Sequence, residues 1–188
     1  KWDGAPAIIC GTNPENGKFF VGTKSVFNKN PKINYTNADI RKNHSGELAT
    51  KLSIALRELS RLGIRGVLQG DFLFAQSDLK KIDMDGDAMI SFTPNTITYA
   101  VPVASNIGRQ ISRAKMGIVF HTKYTGKSLD SMTAGFGTVS GRATNVFLAS
   151  AGYRDVSGQV KLTRSELSQF NARLRMAEGS LMKAGPLL

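Results

Sequence analysis

The sequence predicts an α+β fold. Three observations carry that expectation: short apolar runs separated by turn-rich spacers, a leucine-periodic segment beginning at Ser45, and a second amphipathic segment near the C-terminal end. Ala7–Cys10 and Lys18–Val21 are β-prone runs separated by Gly11-Thr-Asn-Pro-Glu-Asn-Gly17, which reads as a strand–loop–strand hairpin. Residues 28–44 are polar, rich in Asn and Lys, and read as a positively charged surface loop. From Ser45, Leu48, Leu52, Leu56 and Leu59 recur at helical spacing with Ala55 and Leu62 beside them, and Gly63 stands at the stop position.

Ile64–Phe74 reads as a strand interrupted by Gln69-Gly70-Asp71, and Ile82–Phe92 as two strands joined by the acidic turn Asp83-Met-Asp85-Gly86-Asp87. A calcium loop starting at Asp83 would need glycine at its sixth position and an acid at its twelfth, where the chain has Ala88 and Pro94. Thr96–Val103 and Gly117–Thr122 read as further strands, with the basic segment Gly108–Lys115 helical between them. After the Gly-rich stretch 134–141, Leu167, Phe170, Leu174 and Leu181 mark an amphipathic helix. The expected organisation is a core over 1–133, then a connection and helix over 134–188 packed on that core.

Bulk properties narrow the class. The 188 residues are 41% hydrophobic, enough for a sizeable core, and no run nears the roughly 18 apolar residues that span a membrane. The single cysteine, Cys10, excludes an intramolecular disulfide and lies in an apolar run, as a buried small hydrophobe would. Two histidines and one cysteine cannot build a histidine- or thiolate-based zinc site. Together these features point to a reducing, cytoplasmic setting. The net charge of +11 calls for a polyanionic partner, and without a basic amphipathic anchor that partner reads as nucleic acid rather than membrane. The chain starts at Lys1 without an initiator methionine, so the natural N-terminus is expected upstream.

Four short elements follow one another along the first hundred residues. Lys1-Trp-Asp3-Gly4 sets an amine two residues before an acid and next to a glycine, an arrangement suited to a nucleophile with a charged neighbour. Gly22-Thr-Lys24-Ser-Val-Phe27 supplies a cation after the first hairpin. Gly66-Val-Leu-Gln-Gly-Asp71-Phe-Leu-Phe74 sets an acid among apolar strand residues, where it needs a partner. Asn95-Thr-Ile-Thr-Tyr99-Ala-Val101 supplies a flat aromatic face.

In order and spacing these elements resemble motifs I, III and IIIa, and the intervening cationic element, of the nucleotidyltransferase superfamily: ATP-dependent DNA ligases, RNA ligases and mRNA-capping guanylyltransferases. The chain looks most similar to ligase-like proteins of large tailed phages. The resemblance implies a ligase-type adenylation core of mainly antiparallel strands, incomplete at both ends. It implies an ATP-dependent, Mg²⁺-requiring adenylyltransferase that forms a lysyl-AMP intermediate and acts on 5′-phosphate ends of DNA or RNA. Lys1 would be the nucleophile, with Asp3 orienting it or the metal. Gly4 would shape the nucleotide-binding turn, and Lys24, on a strand, would neutralise phosphate. Asp71 would hold the ribose or the metal, and Tyr99 would stack on adenine. Such a protein would work in the cytoplasm, the host's if viral, or be carried in the virion.

The pattern also departs from the superfamily. Pro6 stands where DNA ligases usually have arginine, and no paired Lys-x-Lys strand serves as motif V. Glu178-Gly179-Ser-Leu-Met-Lys183 has motif IV spacing but falls in the C-terminal helical periodicity. Gly117–Lys123 has strand character without the motif IV acid, and His121 within it reads as a packed or edge histidine. These departures define the alternative: a catalytically inactive, ligase-fold nucleic-acid-binding or virion structural protein. A capping-type enzyme would differ by preferring GTP.

Overall fold

The computed structural model describes residues 2–137, 145–151 and 162–184. The fold is α+β, as the sequence predicts. The chain divides into two compact units, Lys1–Gly152 and Tyr153–Leu188. The first unit runs past the expected boundary at 133/134 because two further strands join its main sheet.

That sheet is built on the apolar run at the N-terminal end. Strand β1 (Ala7–Thr12) pairs antiparallel with β2 (Phe19–Gly22) on one edge and with β3 (Val67–Ala75) on the other. Ile8, Ile9 and Cys10 are fully buried, as expected for a strand covered on both faces. Burial pushes the Cys10 thiol up to about 12, so it stays protonated and inert. A water-soluble disulfide reagent is therefore expected to leave the native protein unmodified and to titrate one thiol after denaturation, read by absorbance.

The polar stretch after β2 is more ordered than its composition suggests. It contains α1 (Asn37–Asn43), whose start is fixed by a reciprocal cap. The Asp39 backbone N–H donates to Thr36 Oγ1 at 3.2 Å, and the Thr36 N–H donates to Asp39 Oδ2 at 2.9 Å. The leucine-periodic segment forms α2 (Gly46–Leu59), and Gly63 ends the following turn in the left-handed conformation at φ 61°. Leu52, Ala55 and Leu59 are fully buried and share a core with Ile8, Leu68 and Phe72 of the sheet.

The acidic turn forms as expected, joining β4 (Lys80–Met84) to β5 (Asp87–Phe92), with Asp85 and Gly86 both at positive φ as a tight hairpin requires. With β6 (Tyr99–Pro102) these strands make a separate three-stranded sheet, followed by α3 (Asn106–Arg113). The next strand, β7 (Met116–Thr125), runs antiparallel to β3 along its full length. Two short strands share its far edge: β8 (Thr133–Phe136) is antiparallel to its second half, and β9 (Val146–Ser150) is parallel to its first. Leu73, Phe74, Val119 and Phe147 on the main sheet pack with Ile90, Phe92 and Ile111 from the small sheet and α3.

In the second unit, α4 (Arg164–Ala184) is the expected amphipathic helix, and Glu178-Gly179 lies inside it rather than on a strand. Among the described residues no helix is long and apolar enough to cross a membrane.

Candidate active site

The residues that follow Lys1 lie along β3. Phe72 donates its backbone N–H to the Pro6 carbonyl at 3.0 Å, and Ala7 pairs with Asp71. Gly4 approaches the same strand so closely that a Cβ there would sit 2.5 Å from the Phe72 carbonyl oxygen. Only glycine fits this approach, which gives the glycine of Lys-x-Asp-Gly a packing role whatever it binds. Asp3 is fixed from the other side, its backbone N–H donating to Tyr99 Oη at 2.6 Å. Lys51 of α2, which the sequence did not single out, donates to the Ala5 carbonyl at 3.4 Å. Its Nζ also pairs with Glu47 at 2.7 Å.

These contacts bring Asp3 and Asp71 to one cleft of about 680 Å³, lined by Trp2, Asp3, Asp71, Val119, His121, Ser150 and Ala151. Asp71, Val119 and His121 come from the paired strands β3 and β7. Between these strands the register shifts: Gln69 faces Thr122 while Gly70 faces Phe120, leaving His121 unpaired at the shift. A bulge of this kind re-aims a side chain, and His121 Nε2 lies 3.5 Å from Asp71 Oδ1. That distance suits an electrostatic contact better than a tight hydrogen bond. His121 Nδ1 is 2.8 Å from Thr122 Oγ1; when the hydroxyl donates there, the remaining ring proton sits on Nε2, towards Asp71.

Residues 1–188 match the family described as a family of unknown function, DUF6267. The chain belongs to DUF6267. Neither a curated protein nor a solved structure matches it.

In this DUF6267 chain the predicted site residues divide. Asp3 and Asp71 meet in the cleft, and Gly4 holds the segment between them. Lys1 lies outside the described residues. Lys24 does not lie on a strand: it opens a short 3-10 helix, Lys24–Phe27, capped by Thr23, and is exposed and absent from the cleft lining. The physical reason is local, since Thr23 Oγ1 accepts from the Ser25 N–H and turns the chain as soon as β2 ends. Tyr99 packs its ring 4.9 Å from Trp2 and 5.5 Å from Phe92, and its hydroxyl is engaged with Asp3. Trp2 is the aromatic residue that borders the cleft among the described residues. Sequence reasoning missed Trp2 although it lies inside the first motif, and it gave His121 a packing role because the shifted register carries no local signal.

Burial raises the Asp71 carboxyl above the usual carboxylate range. His121 opposes that shift and the neighbouring charge of Asp3 adds to it. Folding therefore disfavours the ionised form of Asp71 relative to the unfolded chain. The resulting penalty is absent below the ordinary carboxylate pKa and fully present once pH exceeds the raised value. Asp71→Asn is expected to raise the melting temperature by roughly 2 °C at pH 8 and to leave it unchanged near pH 3, read by thermal melts across pH.

The lining sets two carboxylates and a histidine beside an indole ring. The volume is within the usual small-molecule range. Two carboxylates fit Mg²⁺, which is typically held by one or two carboxylates with substrate phosphates completing the shell. Among the described residues no group of three or more His, Cys, Asp or Glu forms a closed protein metal site.

Proposed function

We propose that this chain is a ligase-type adenylyltransferase that transfers AMP from ATP to its own Lys1 and then to a 5′-phosphate end of nucleic acid. One observation carries the reading: Asp3 and Asp71, from two separate sequence motifs, border the same cleft beside an aromatic ring. In the first step the neutral Lys1 Nζ attacks the α-phosphorus of ATP. A nitrogen–phosphorus bond forms, the bond to the bridging oxygen breaks, pyrophosphate leaves, and the nitrogen gives up one proton to solvent. Asp71, with Asp3, would hold Mg²⁺, which would supply charge neutralisation on the phosphates. Trp2 offers a face for the adenine, with the Tyr99 ring, predicted to stack on the base, packed behind it. The net positive charge of the chain suits the polynucleotide that receives the AMP.

The test uses Trp2, the chain's one tryptophan. ATP with Mg²⁺ is expected to quench its emission saturably. Label from α-labelled ATP is expected to survive denaturation in the native sequence and to vanish in Lys1→Ala. Equal labelling of both proteins would contradict the assignment of Lys1, and preference for GTP would move the reading to a capping-type enzyme.

A specific observation favours a second reading, a catalytically silent nucleic-acid-binding or virion structural protein. The described lining of the cleft holds two carboxylates and a histidine but no lysine or arginine, and Lys24 lies elsewhere. Phosphate neutralisation would then rest on the metal. Tight nucleic-acid binding without quenching or labelling would support this reading.

A further inference from the structure

We propose that α4 pairs with the same helix of a second copy of this chain as a parallel two-stranded coiled coil. The helix has 21 residues, a length of about 31 Å, and begins with its own cap. Thr163 Oγ1 accepts the Glu166 N–H at 3.3 Å, and Glu166 accepts the Thr163 N–H at 2.8 Å. Among the described residues of its own unit its apolar side chains stay exposed: Leu167 is 48% exposed, Phe170 57%, Leu174 56% and Leu181 62%.

The spacing of these residues specifies more than an apolar face. Leu167, Phe170, Leu174, Ala177 and Leu181 alternate steps of three and four, which is the a/d seam of a heptad repeat. Leucines occupy each a position. In this register Arg173 is a g residue and Glu178 the e residue five positions later. A parallel pair in register sets Arg173 of each copy against Glu178 of the other, two opposite-charge contacts flanking the seam. An antiparallel pair with Phe170 layered on Leu174 would oppose Arg173 to itself. The charges therefore favour a second copy, and favour it parallel. This inference is independent of the chemistry proposed for the cleft.

A seam this short gives a modest affinity, so the association should depend on concentration. Sedimentation equilibrium of the full chain is expected to show a mass rising from that of one chain, 20.3 kDa, towards twice that value. Leu174→Asp is expected to hold the chain monomeric with the melting temperature of the first unit unchanged. Arg173→Glu is expected to weaken the dimer severalfold, and Arg173→Glu combined with Glu178→Arg to restore it. A monomer at every concentration would overturn the proposal, as would a dimer indifferent to Leu174→Asp. Failure of the double charge swap to recover what the single swap loses would overturn the parallel pairing. A monomer that co-sediments with anionic phospholipid vesicles would assign the face to a lipid surface instead.

Discussion

Replacing Phe72 with alanine is expected to destabilise the folded state by about 3–5 kcal/mol and to lower the melting temperature by roughly 10 °C. Phe72 is fully buried and shares a core with Ile8, Leu52, Leu68 and Phe120, so truncation leaves a cavity bounded by two strands and a helix. Its ring also lies 5.7 Å from Lys51 Nζ, the group that reaches the Ala5 carbonyl. The loss should therefore reach the segment carrying Asp3. Guanidinium denaturation checks the expectation through a lower midpoint at unchanged slope. Phe72→Leu, which refills most of the volume, should recover more than half of the loss. A midpoint within about 0.5 kcal/mol of the native protein would contradict the packing described for β3.

Changing Asp71 to alanine is expected to reduce covalent labelling from ATP by about 100-fold or more, the scale of losing one charge-stabilising group at a reacting phosphate. The fold should survive, because Asp71 carries an electrostatic penalty rather than a packing load. The same substitution separates the two functional readings. A protein that only binds nucleic acid would keep or slightly tighten its affinity, since one negative charge leaves a basic molecule. Single-turnover labelling and a filter-binding isotherm on the same preparation distinguish the outcomes. His121→Ala should cost less, because the contact His121 makes in the cleft is with the Asp71 carboxylate at 3.5 Å and it would act through that group.

Local pattern carried much of this fold and only half of the candidate site. The hairpin before Gly22, the leucine-periodic α2 with its Gly63 stop, the Asp83–Asp87 turn and the C-terminal helix were all legible, because each is set by periodicity or turn chemistry within a dozen residues. Helix α1 was hidden in a polar stretch, where its signal is the Thr36–Asp39 cap rather than an apolar face. Strand β9 pairs parallel to β7 across a long connection, a match that no local window encodes. At the site, Asp3 and Asp71 were legible as residue types in motif positions. The approach of His121 to Asp71 depends on a register shift between two strands fifty residues apart, and the course of Lys24 depends on a threonine cap that outweighs strand propensity. Trp2 shows the reverse: its position was plain, but its use as a cleft wall follows from its packing on Phe92, Tyr99 and Phe147.

The most direct test of nucleotidyl transfer is to incubate the folded chain, extended upstream of Lys1, with α-labelled ATP and Mg²⁺ and to map the labelled peptide after denaturation. The extension removes the free α-amine at Lys1 as a competing acceptor. The expected result is AMP on the side chain of Lys1, released by acid as a phosphoramidate should be. No label on the folded, extended protein, or label on another residue, would contradict the account.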